Sequence, residues 1–291
     1  MKPSFVILFI HVMLWVTCGL NHRRLALEHA RDRLVTCSHY KITACLDDSG
    51  PHMPLNDLPD LILFAIFNFL TTSERLILRC VCRRWNILLR SAQVWTCVDF
   101  SNKRELSLKV LETFVFPATR KLFVDECHVL KWRDICLTLK QCRKLEVLSL
   151  SWIGYVNEPQ IAIPLDFVKL KIGHLRYLNV SYCTLSDRFF EDIATNCPHL
   201  SVFILLGSCG ISEEAFKSST FKSHTSLKLI NVAYVTNALR LSCVLGLLEY
   251  RNNSVLLDVT GHHISDDEMN LIDPQAFARI VEIDDYCHLL Y

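Results

Sequence analysis

The stretch Leu175-Arg-Tyr-Leu-Asn-Val-Ser-Tyr-Cys-Thr-Leu-Ser-Asp-Arg-Phe-Phe-Glu-Asp-Ile-Ala-Thr-Asn-Cys-Pro-His-Leu200 reads as a strand, a turn and a helix in succession. Leu178 and Val180 alternate on one strand face, with Leu175 leading in. Cys183 follows at the turn, and Leu185 turns inward. Ser186 or Asp187 is placed to cap a helix whose inner face is Phe189, Phe190, Ile193 and Ala194. Cys197-Pro198 ends that helix, because the residue before a proline leaves helical space.

The same strand core recurs on both sides. It is Leu122 and Val124, then Leu145, Leu148 and Leu150, and after the quoted copy Leu200, Phe203 and Leu205, then Leu227, Ile230 and Val232. Leu257 and Val259 form a weaker copy, and Val281 and Ile283 a last half-copy. Strand starts about 25 to 30 residues apart point to stacked strand–helix units. The array runs from Thr119, with about six copies. Tyr155 to Lys171, with Pro159 and Pro164, is an insertion on the helix or loop side of the array. The repeat resembles the cysteine-containing class of leucine-rich repeat. That resemblance implies a solenoid with parallel strands on its concave face and helices on its convex face.

Upstream, Leu55 to Phe100 has a different grammar. Apolar residues at Leu58, Ile62, Ile66, Phe67 and Leu70 mark one face of a first helix. Asp57 is placed to cap it, with Pro59 just inside, where a missing N–H costs nothing. Thr72 or Ser73 is placed to cap a second helix carrying Leu76, Leu78, Val81 and Cys82. Trp85 and Trp95 follow as large anchors, so three short helices fit the segment. A unit of about 45 residues is too small to bury all these side chains by itself. Either it packs on its own chain or it offers a docking surface.

The order Leu58-Pro59, Ile62, Ile66, Leu70, then Val81-Cys82-Arg83-Arg84-Trp85 and Val94-Trp95, resembles the F-box. Asp60 is followed by Leu-Ile-Leu where an acidic pair is usual. The resemblance implies binding to Skp1, the adaptor of cullin–RING ubiquitin ligases, through Leu58, Pro59, Ile62, Ile66, Leu70, Val81, Cys82 and Trp85. The combination resembles the leucine-rich-repeat F-box proteins, substrate-recognition subunits of SCF-type E3 ubiquitin ligases. The fold expected is α/β, a short three-helix F-box at 53–100 followed by repeats at 101–291. Substrate contacts are expected between the structural leucines, at Glu146, Ser149, Tyr177, Asn179, Val202, Ile204 and Asn231. An assembly scaffold without ubiquitin transfer is the alternative, its helices serving only to cap the first repeat.

Composition bounds the rest. The chain has 291 residues, 51% of them apolar, which suits a packed globule. Its 31 basic and 30 acidic residues give a net charge of +1, so nothing points to nucleic acid. No Ser, His and Asp converge in a pattern for nucleophilic catalysis, so no enzyme and no cofactor are expected. Fourteen cysteines include no CxxC pair. Several fall at repeat positions, which favours buried thiols in a reducing compartment over disulfides. Cys127-His128, Cys136 and Cys142 match no compact zinc spacing, and His262 falls at a turn position of its repeat.

Residues 1–20 hold an apolar run, Ser4 to Leu20, preceded by Lys2 and followed by Arg23, Arg24, Arg31 and Arg33. Its length is short for a spanning helix. It reads as a secretory-type leader, as an anchor that leaves the rest in the cytosol, or as a misassigned gene start. An F-box needs the cytoplasm or nucleus, with membrane contact then confined to residues 4–20. Residues 21–52 read as a linker with a mixed helix.

Overall fold

The chain divides into two compact units, Met1–Pro54 and Leu55–Tyr291. The computed structural model describes residues 55–103, 106–127, 130–153, 170, 172–217, 224–235 and 255–261, all in the second unit. The expectations for residues 1–52, most of the 155–171 insertion, His128, His262 and the half-copy at Val281 and Ile283 lie outside the described residues.

A 3-10 turn at Leu55–Asp57 leads into three short helices, α1 (Asp60–Asn68), α2 (Thr72–Leu78) and α3 (Arg83–Leu88). Asp57 lies in that turn, not at a cap. Pro59 is the N-cap of α1 and lies one residue outside the helix. Thr71, not Thr72 or Ser73, caps α2. Its hydroxyl accepts from the Glu74 N–H while the Glu74 carboxylate accepts from the Thr71 N–H, a reciprocal capping box. Val81 and Cys82 lie beyond α2, and the Cys82 sulfur accepts the Trp85 N–H at the start of α3.

The expected face of α1 is buried at Leu58, Phe67 and Leu70, and Leu63, which was not expected, joins it. Leu63 and Phe67 are buried at its centre, flanked by Leu58 and Leu70, while Ile62 and Ile66 are half-buried. The Phe67 and Trp85 rings pack edge to face, 5.4 Å between centroids.

Among the described residues seven parallel strands follow, paired strictly in chain order. They are β1 (Cys97–Asp99), β2 (Lys121–Phe123), β3 (Val147–Ser149), β4 (Tyr177–Asn179), β5 (Val202–Ile204), β6 (Leu229–Asn231) and β7 (Leu256–Asp258). Their starts are 24 to 30 residues apart. The sheet begins one strand before Thr119, because Trp95, Val98 and Phe100 repeat the pattern of Leu175, Leu178 and Val180. Among the described residues, the connections hold α4 (Leu108–Phe114), α5 (Trp132–Leu139), α6 (Asp187–Asn196) and α7 (Glu213–Lys217).

Side chains alternate across the sheet. The central residue of each strand, from Val98 through Leu148 and Phe203 to Leu257, is buried on the helix side. Phe190 of α6 lies 5.6 Å from Phe203 and 5.2 Å from Phe216, which joins two successive connections to β5.

Each strand ends in a turn whose second residue past the inward strand position has positive φ. These residues are Asn102, Glu126, Trp152, Tyr182, Gly207, Tyr234 and Gly261. The ladder demands it. The Glu126 N–H donates to the Ser151 carbonyl, Trp152 to Ser181, Tyr182 to Leu206 and Gly207 to Ala233, each bond tying one turn to the next.

Candidate functional site

Two surfaces were expected to act, the helices at 55–100 and the strand face away from the helices. The structure treats them differently.

On the helices, Leu61 is 77% exposed, Ile87 70% and Phe69 66%, and Ile77 and Val81 are also exposed. Of the residues expected to meet a partner, Pro59 and Val81 are exposed, and Ile62, Ile66 and Cys82 are half-buried. Leu58, Leu70 and Trp85 are buried in the chain's own interior. Phe69 belongs with Phe64 and Phe67 to the apolar surplus the first helix was expected to leave, whereas Leu61, Ile77 and Ile87 were not singled out from the sequence. For Leu61 the only signal was that α1 is apolar on nearly every side.

Arg84 fixes the approach to α1. Its guanidinium pairs with the Asp60 carboxylate at 2.5 Å and donates to the Leu58 carbonyl at 2.6 Å and to the Asn56 carbonyl. The strand of chain before Pro59 is thereby held against the start of α3.

Arg75 is the buried hub. It donates to the Phe67, Asn68 and Cys97 carbonyls at 2.9, 3.2 and 3.0 Å, and to the Val94 carbonyl. Its guanidinium also lies over the Trp95 ring, 5.7 Å from the centroid. Burial draws its pKa below the ordinary arginine value, opposed by the charges of Cys97 and Glu74. Burial pushes the Cys97 thiol upward.

The strand face away from the helices is closed at most of the expected positions. Tyr177 and Ile204 are buried, with Val147 and Leu229, in one apolar cluster, and Phe123, Val202 and Leu206 pack against it. Glu146 lies one residue before β3, where its carboxylate meets Arg120 at 3.3 Å. Val147 holds the strand position instead.

Ser149, Asn179 and Asn231 serve the turns. The Asn179 side-chain oxygen accepts from the Ser181 N–H at 3.0 Å, and Asn231 from the Ala233 N–H at 2.8 Å. Asp258 does the same for Thr260. Such short side chains stand in for a backbone acceptor two residues on. Ser149 donates to the Asp125 carboxylate at 2.7 Å and accepts from the Asn179 amide at 3.0 Å. Asp125 also accepts the Ser151 N–H at 2.7 Å. Burial raises its pKa, and these hydrogen bonds oppose the rise.

The cysteines serve turns too. The Cys127 thiol donates to the Phe100 carbonyl at 3.2 Å, and the Cys183 thiol to the Leu150 carbonyl at 3.3 Å. In the next turn Ser208, not Cys209, holds this place, donating to the Val180 carbonyl at 2.8 Å. Cys209 instead sits 3.3 Å from the Thr184 hydroxyl. Cys142 donates to the Thr138 carbonyl. Burial pushes Cys127 up to about 11 and Cys142, Cys183 and Cys197 up to about 12. Among the described residues no helix is long and apolar enough to cross a membrane.

With this geometry the helices and the first strand can be compared with known proteins. Residues 55–101 match the family described as F-box-like. The matched span runs from the first 3-10 turn through β1 and so includes every exposed apolar residue of the helices. Among solved structures, the crystal structure of the Rad7 and Elc1 complex in yeast is similar at 13% identity, covering 79% of this chain and 94% of that one, with a TM-score of 0.24.

Proposed function

We propose that this chain is the substrate-recognition subunit of an SCF-type E3 ubiquitin ligase. Its F-box-like helices dock Skp1 and, through it, a cullin. The observation that carries the reading is that five apolar side chains, Leu61, Phe69, Ile77, Val81 and Ile87, are exposed on the segment that matches the F-box-like family. A helical segment that needed only its own chain would turn such residues inward. Pro59, Ile62, Ile66 and Cys82 border them.

The seven parallel strands and their connections are, in this reading, leucine-rich repeats that hold a protein substrate. The chain carries out no reaction of its own. It raises the local concentration of substrate at the ligase, so binding geometry stands in for an active site. Such a subunit works in the cytoplasm or nucleus.

The scaffold alternative makes the helices a cap for the first repeat, and the contacts of Arg75 with Val94 and Cys97 favour that part of it. A cap alone leaves the outward apolar residues without purpose. The test is capture of Skp1 and a cullin by the full chain and by its Ile77→Asp/Val81→Asp variant. The variant should keep its far-ultraviolet circular dichroism and lose capture. Undiminished capture by a folded variant would refute the assignment.

A further inference from the structure

The first strand of a parallel sheet has one bare edge, and bare edges invite mispairing. In β1 the outward backbone groups belong to Cys97 and Asp99, because Val98 between them faces β2. Both are met from α2. The Thr72 hydroxyl accepts the Asp99 N–H at 2.8 Å, and Arg75 donates to the Cys97 carbonyl at 3.0 Å. Thr72 and Arg75 are three residues apart, on one helix face, and each is 4% exposed. Ile77 of the same helix is 53% exposed.

Arg75 has a second grip. Through the Phe67 and Asn68 carbonyls it holds the end of α1, and through Val94 the turn before β1. One guanidinium therefore joins the last turn of α1, the approach to the sheet and the sheet's first edge. A charge is costly to bury, and it persists here because four carbonyls converge on it.

We infer that Thr72 and Arg75 form a joint that couples the outer face of the helices to the strands, so that a partner seated on the helices also stabilises β1. The partner rests on the docking reading above; the joint does not. Binding to a surface tightens whatever that surface is rigidly bonded to, and the effect is reciprocal.

Hydrogen–deuterium exchange of the full chain tests this, alone and with purified Skp1, for the native sequence, Arg75→Met and Thr72→Val. In the free protein Arg75→Met should speed exchange of the amides at 97–101 by about tenfold, the ratio set by one hydrogen bond of ordinary strength, while the α3 amides keep their native rates. Thr72→Val, which keeps the side-chain shape, should speed the Asp99 amide by a similar factor. Skp1 should add protection at 97–101 in the native chain but not in Arg75→Met, whose helices it still protects. Native exchange at 97–101 in both variants would overturn the joint, as would melting of α3 together with β1. Skp1 protection that stops at the helices in the native chain would overturn the coupling. Failure of Skp1 to bind the native chain would count against the docking reading, and the free-protein comparison would still decide the joint.

Discussion

Replacing Gly207 with alanine should destabilise the sheet through a single ring. Gly207 has φ +62°, and a Cβ there would lie 2.4 Å from Cε1 and 2.6 Å from Cδ1 of Tyr182. The ring is not free to swing aside, since it is stacked on Trp152 with centroids 4.2 Å apart and planes 29° apart. A left-handed alanine costs about 1 to 2 kcal/mol. Forcing the ring off its rotamer and its stack adds about 1.5 kcal/mol. Gly207→Ala should therefore cost about 3 kcal/mol and Tyr182→Ala, which forfeits the stack and some burial, about 2 kcal/mol. In the double variant the collision is gone, so the total should be about 3.5 kcal/mol, roughly 1.5 kcal/mol less than additivity. Equilibrium unfolding in denaturant, followed by circular dichroism for all four proteins, measures this. A double variant whose cost equals the sum within about 0.5 kcal/mol would refute the reasoning, because the ring would then not be what forbids a side chain at this turn.

Three further outcomes are expected. Alkylation of the native protein at mildly alkaline pH should label exposed Cys80 well before Cys127, Cys142, Cys183 and Cys197, whose burial keeps them protonated, and mass spectrometry of quenched samples would show the order. Asp125 has a raised pKa, so the folded protein holds its proton more tightly than the unfolded one. Stability from this group falls as pH climbs from the ordinary aspartate range through the raised value and is flat beyond it. Asp125→Asn keeps an acceptor for Ser149 and Ser151, so it should lose that slope and be at least as stable near neutral pH; a slope unchanged in denaturant midpoints would count against this. Ser208→Ala should cost about 1 to 2 kcal/mol by stranding the Val180 carbonyl, whereas Ser208→Cys, which restores the donor found at Cys127 and Cys183, should recover most of it in the same unfolding assay.

The strands were legible because their inward residues recur at fixed offsets and a buried parallel ladder tolerates little else there. β1 escaped notice because Trp95, Val98 and Phe100 run on from the helical segment, so its last anchor and the sheet's first inward residue are the same tryptophan. Leu61, Ile62, Leu63, Phe64, Ile66, Phe67 and Phe69 surround α1 with apolar side chains, and spacing alone cannot choose a face among them. Packing makes the choice: Phe67 meets the Trp85 ring, and Leu63 is buried one turn before it. Leu61 and Phe69 lie on the exposed side.

On the strand face, polar residues are held by the turns. Asn179 and Asn231 are residue types that bind partners well, and for the same reason they bind their own turns. Every turn here must take a left-handed residue so that its N–H can reach the next turn's carbonyl, and the chain fills that place with Asn, Glu, Trp, Tyr and Gly alike. No single residue type marks it. The need lies in the bonding between neighbours, where Trp152 leans on Tyr182 and Tyr182 on the bare backbone of Gly207. Gly207 and Gly261 lie where a Cβ would meet the rings of Tyr182 and Tyr234, and each aromatic residue in the strained conformation has a ring or a glycine beside it to lie upon.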